Sequence, residues 1–130
     1  MATWKEVRDR LRREFTLDTE AEDELSVTIE RRQGEEVRAQ RVLFRSYNAW
    51  GQPMLEMRSA FGEVGDLDPN DALADNLQLP LGSIAHHGKY LVIVHKTPLA
   101  DLEPDTVVFL ANRLSLLADA LEQRLGSDRF

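Results

Sequence analysis

Trp4, Val7, Leu11 and Phe15 recur at steps of three and four behind Thr3, and Glu6 stands three places after that threonine. Such a pair satisfies two helix-end N–H groups reciprocally, so the chain is predicted to open with an amphipathic helix of about four turns, closing near Phe15. Residues 18–24 are acidic and show no core-facing period beyond Ala21; they read as a loop. The period then changes to two. Leu25, Val27 and Ile29 alternate with Ser26, Thr28 and Glu30, the pattern of a strand with one buried and one wet face. A turn at Gln33-Gly34-Glu35 leads to a second strand over 37–47, which sets Val42 and Phe44 on the face opposite Leu43. Gly51 and Pro53 break the chain, and a third strand over 54–62 completes an antiparallel meander.

In the second half, Asp68 is placed to cap a short helix that starts at Pro69, carries Ala72, Leu73, Asn76 and Leu77, and stops at Pro80. A hairpin follows, with strands over 82–86 and 89–97 around His87-Gly88. After Glu103 and Pro104 comes a helix of about 22 residues, the longest element. Its apolar stripe includes Val107, Leu110, Leu114, Leu117, Leu121 and Leu125, and Gly126 sits at its C-terminal cap. The expected fold is α+β in one domain spanning 1–130. It is a five-stranded antiparallel sheet in the order α-β-β-β-α-β-β-α, with the terminal helices packed on one face.

Charge and composition narrow the function. A net charge of −7 opposes counterion displacement from a phosphate backbone, so nucleic acid is not an expected partner. Arg8, Arg10, Arg12 and Arg13 lie on the first helix and read as its solvated face. The chain has no cysteine, hence no thiolate metal site and no disulfide framework. No apolar run near the N-terminus resembles a secretory signal, and none reaches the length of a membrane span. A cytoplasmic protein without membrane insertion is expected.

Catalytic patterns fail one by one. His86 and His87 are adjacent on a strand and face opposite ways, while His95 lies well along the partner strand, so the three do not converge on a metal. Asp66, Asp68 and Asn70 have calcium-loop spacing, but Asp71 and Leu77 stand where glycine and glutamate are needed. Gly62 and Gly65 lack the residues of a phosphate loop, and no serine has a histidine partner in a recognisable motif. A non-enzyme without cofactor or metal is the expectation.

Several strands are apolar on both faces: Leu43 against Val42 and Phe44; Leu55, Met57 and Phe61 against Met54 and Ala60; Leu91 and Ile93 against Tyr90, Val92 and Val94. Two terminal helices cover one face of a sheet. A residual apolar patch marks an interface or, alternatively, core beneath the middle helix. Trp50, in a loop, and the methionines Met54 and Met57 suit an adaptable contact surface.

The segment Asp71-Ala-Leu-Ala-Asp-Asn-Leu-Gln-Leu-Pro80, then Gly82-Ser-Ile-Ala, Tyr90-Leu-Val-Ile-Val and Thr97-Pro-Leu-Ala-Asp-Leu-Glu-Pro before a leucine-rich helix, resembles the type III secretion chaperone-like superfamily, which includes the Tir-chaperone (CesT-type) and YbjN-like proteins. The resemblance implies a homodimer without cofactor that grips an extended segment of a client protein. By that analogy Val42, Phe44, Trp50 and Met54 form the client patch, and Leu73 and Leu77 lie near the two-fold interface. A YbjN-like regulatory domain that binds a small molecule or a regulatory partner is the alternative.

Overall fold

Thr3 Oγ1 accepts the Glu6 N–H at 3.2 Å and Glu6 Oε1 accepts the Thr3 N–H at 3.3 Å, closing the capping box that starts helix α1 (Trp4–Glu14). This computed structural model describes residues 2–126. Strands β1 (Leu17–Glu20), β2 (Glu24–Gln33), β3 (Glu36–Ala49) and β4 (Gln52–Glu63) follow α1. Next come α2 (Pro69–Gln78), β5 (Ser83–His87), β6 (Tyr90–Pro98), a single 3₁₀ turn (Leu99–Asp101) and α3 (Pro104–Arg124). The class is α+β with an antiparallel sheet and three α-helices, as the periodicity predicts.

The strand count differs from the expected five. The sheet has six strands, ordered β1-β2-β3-β4-β6-β5, because β1 starts at Leu17 and runs into the acidic stretch read as a loop. Polar side chains hold β1 in place. The Thr19 and Ser26 hydroxyls lie 2.6 Å apart, Thr28 donates to Asp18 at 2.5 Å, and Arg12 of α1 pairs with Glu20. A charged edge strand of this kind also resists pairing with another chain.

Register assigns the faces. Val27 pairs with Val42, Leu25 with Phe44, Phe44 with Met57, and Ser59 with Ile93, so these side chains share one face. Val7 and Leu11 of α1 and Val107, Ala111, Leu114, Ala118 and Leu121 of α3 complete the core on that side. The terminal helices thus cover the same face, and α2 sits beside α3 on that side, over the β5 edge: Arg124 of α3 reaches Asp75 at 2.5 Å. Asn76 of α2 meets the β5 backbone. Its Oδ1 accepts the Ile84 N–H at 2.6 Å and its Nδ2 donates to the Ile84 carbonyl at 3.3 Å. Gly82 permits this approach of β5 to β6. Its φ is +70°, and a Cβ there would stand 2.8 Å from the Val94 carbonyl oxygen. No helix among the described residues is long and apolar enough to cross a membrane.

Candidate functional site

Two surfaces carry unspent chemistry. The first is α2. Ala72 packs against the core and Asn76 holds β5, so one side of the helix faces inward. Leu73 and Leu77, also four apart, therefore share the outer side, where they are 69% and 84% exposed. A groove of about 610 Å³ runs between α2 and the β5–β6 hairpin, lined by Val64, Leu67, Ala72, Leu73, Ile84 and Leu91, with Asp68 and His86 among its few polar residues. A second groove, of about 430 Å³, lies between Pro80-Leu81 and the outer side of α3 at Phe109, Leu110, Leu116 and Leu117. Arg113 stacks 5.0 Å from the Phe109 ring at that groove.

The second surface is the sheet face away from the helices, on which no helix of the described residues packs. Cross-strand register gives it rows. Tyr47, Met54 and Pro98 form one, Arg45, Glu56 and Lys96 the next, and Leu43, Arg58 and Val94 a third. Glu56 is almost wholly covered because three cations close over it: Arg45 at 2.9 Å, Arg58 at 2.7 Å and Lys96 at 3.8 Å. Burial pushes its carboxyl up, but the Arg45 hydrogen bond and the charges of Arg45, Arg58 and Lys96 outweigh this and hold it below the usual glutamate range. Arg45 also lies 4.5 Å from the centre of the Tyr47 ring.

Trp50 marks one end of this face, in the β3–β4 hairpin turn. The turn has φ of +51° at Trp50 and +73° at Gly51, as a two-residue hairpin whose twist matches its strands requires. Glycine and asparagine tolerate that conformation; a tryptophan there costs about 1 kcal/mol. The ring gains no burial in return, being 97% exposed.

A third polar cluster is internal. Asp119 of α3 accepts from Arg38 Nε at 2.9 Å and from Gln123 at 2.8 Å, and pairs with Arg31. Glu122 accepts from Gln40 at 3.2 Å, and Ser59 donates to Gln40 at 3.1 Å. These residues tie α3 across β2, β3 and β4. The space beside them is about 10 Å³, too small for a substrate, so the cluster is a structural clamp. Among the described residues no group of three metal-ligating side chains converges.

The structure separates the residues that the sequence grouped. Val42 and Phe44 are fully buried under the helices. Met54 pairs with Tyr47, not with an even-numbered neighbour of β3, so it points to the opposite face from Val42 and Phe44. The four therefore do not form one patch: Val42 and Phe44 are core, while Trp50 and Met54 border the open face. Leu73 and Leu77 are together and exposed. Sequence reasoning missed the Glu56 cluster; its signal was a glutamate between two basic residues' strands at cross-strand positions, visible only with the register. His86 lies opposite Leu91 and His95 opposite Met57, on the covered face. The two-residue turn of the hairpin is Gly88-Lys89, one position later than expected.

Burial lowers the pKa of His95. An unfolded chain would take up a proton near pH 6.5 that the folded state resists. The stabilisation is therefore present above about pH 6.5 and is lost as pH falls toward the folded value. For Asp119, desolvation raises the pKa, but the Arg38 and Gln123 hydrogen bonds dominate and lower it; that contribution is lost only below about pH 4. Thermal unfolding between pH 7.5 and 3 should show two declines in Tm, and His95→Gln should flatten only the upper one. An unchanged upper decline in that variant would assign it to another group.

Compared with protein-family models and with curated proteins, the chain finds no match.

Proposed function

We propose that this protein is a non-catalytic protein-binding module, chaperone- or adaptor-like, which self-associates through α2 and holds an extended segment of a client. The observation that supports it most is the pair Leu73 and Leu77, exposed side by side on α2, with Leu73 lining the larger apolar groove. Burying a leucine contributes roughly 1.5–3 kcal/mol, and a second copy of the same helix offers a self-complementary apolar surface across a two-fold axis. The proposal agrees with the resemblance to the type III secretion chaperone-like superfamily, where the middle helix lies near the dimer interface. It also accounts for grooves that are apolar and open, whereas a small-molecule site converges several polar groups on an enclosed ligand.

One observation favours the alternative of a regulatory domain with a small apolar ligand: the groove beneath α2 has the volume of such a site. Light scattering separates the two. The wild-type chain should scatter at twice its 14.8 kDa mass, and the Leu73→Asp, Leu77→Asp double variant at the single-chain mass with its fold intact by circular dichroism. A wild-type monomer at about 100 μM, well above the Kd range of stable dimers, would refute self-association and move the weight to the ligand-binding reading.

A further inference from the structure

Helices α2 and α3 turn unlike charges to solvent from similar apolar surroundings. Between Asp105 and Asp119 the one charged residue of α3 is Arg113. Its guanidinium lies 5.0 Å from the Phe109 ring and meets no carboxylate among the described residues, although the chain carries a net charge of −7. Phe109 and Leu116, 55% and 37% exposed, flank it along the helix, and Pro80 and Leu81 close the other side of the groove of about 430 Å³. A cation thus stands in the middle of an apolar groove without a counterpart from its own chain.

α2 has the inverse composition. Its charged residues are Asp71 and Asp75, and it contains no cation. Asp75 is held by Arg124 at 2.5 Å, so this flank of the helix faces α3. Asp71 lies one turn earlier on the same flank, is exposed, and has no ion-pair partner among the described residues. Leu73 and Leu77, roughly 6 Å apart along the axis, are exposed next to it. They do not line the α3 groove of their own chain. The Arg124 contact keeps their helix at the C-terminal end of α3, roughly 16 Å along the axis from Arg113.

We infer that the self-association surface extends from α2 onto α3. In a two-fold dimer each α2 seats Leu73 and Leu77 in the α3 groove of the other chain, with Asp71 against the partner's Arg113. This surface is the counterpart of the α2 contact proposed above and presupposes it. A cavity of about 150 Å³ admits a benzene-sized group, so the groove has room for both leucine side chains. Phe109 and Leu116 are roughly 10 Å apart along α3 and bracket the spacing of the two leucines. Two chains of net charge −7 repel each other on average, which favours contact where opposite signs meet. Burial drives the contact, and the exposed ion pair sets its register more than its strength. Knob and groove belong to one chain, so a two-fold axis satisfies both at once and closes the assembly at two copies.

The test is analytical ultracentrifugation of the full chain up to about 100 μM, with circular dichroism to verify that each variant keeps its helices. Arg113→Asp and Asp71→Arg should each raise the dimer Kd about tenfold or more, because every substitution acts at both copies of the contact. The double variant restores opposite signs and should return the Kd to within about threefold of the wild-type value. Phe109→Ser, at an exposed position, should also weaken the dimer. A double variant that associates no more tightly than the single ones would overturn the inference. A dimer split by Leu73→Asp with Leu77→Asp, yet indifferent to Phe109→Ser and to both charge reversals, would overturn the α3 contact and leave self-association through α2 standing. A wild-type monomer at about 100 μM would overturn both and assign the groove to an occupant other than this chain.

Discussion

Phe44→Ala should lower the unfolding free energy by about 3–5 kcal/mol, enough to cancel a large part of the roughly 5–15 kcal/mol that holds a domain of this size. Phe44 is fully buried, opposite Leu25 on one side and Met57 on the other, beneath the helices. Removing the ring forfeits its burial and leaves a cavity that packed neighbours fill only in part. Urea unfolding should show a lower midpoint with an unchanged m-value. The experiment also decides between two roles. A phenylalanine in an open client patch would be lost with a change under about 1 kcal/mol, as for other surface positions, and that outcome would contradict the assignment of Phe44 to the core.

Asp119→Ala should cost about 3 kcal/mol. The carboxylate is 2% exposed and receives Arg38, Arg31 and Gln123. Its loss leaves Arg38, whose side chain is only 11% exposed, facing Glu122 at 3.4 Å and the solvent-exposed Glu36 at 3.2 Å. Removing one partner of a buried pair strands the other, which costs about 3–5 kcal/mol; the lower figure applies because Arg31 keeps access to water at 38% exposure. Replacing both sides with apolar residues, Asp119→Leu with Arg38→Met, should cost less than the sum of the single variants. Chemical denaturation of the three proteins measures the coupling. Additive losses would mean that the two side chains do not act as a pair.

The elements with apolar periodicity were legible in the sequence. The stripe from Val107 to Leu125 locates α3, the Thr3 and Glu6 pair locates the start of α1, and alternation from Leu25 to Ile29 locates β2. β1 was not legible, because Leu17 is its one apolar contact with the core and hydroxyl and carboxylate contacts hold the rest, leaving no apolar period to read. Alternation also showed that Val42 and Phe44 oppose Leu43, but not which side the helices take. That choice depends on where α3 lands, a contact between segments far apart in sequence. Grouping Met54 with Phe44 failed for a more local reason: a two-residue turn at Trp50-Gly51 fixes Met54 against Tyr47, and one residue of register moves a side chain to the other face. The α3 clamp left a trace. Glu122 stands four places after Ala118, inside the apolar stripe, where a charge requires a buried partner. The exposure of Leu73 and Leu77 was implicit in the few apolar positions of α2, which has too little apolar surface to bury on two sides.

The amide of Asn76 meets Ile84 through both a donor and an acceptor, as the backbone of a neighbouring strand would. At that point a side chain takes the place of a seventh strand. Detachment of α2 and exposure of a hydrogen-bonding sheet edge are consequently one event, not two. Any association that holds α2 in its seat makes the edge harder to open by the same free energy with which an open edge would weaken that association. If the proposed self-association holds, solubility and assembly would be linked through Asn76, and chains that dissociate would also be the ones most prone to pair strand to strand.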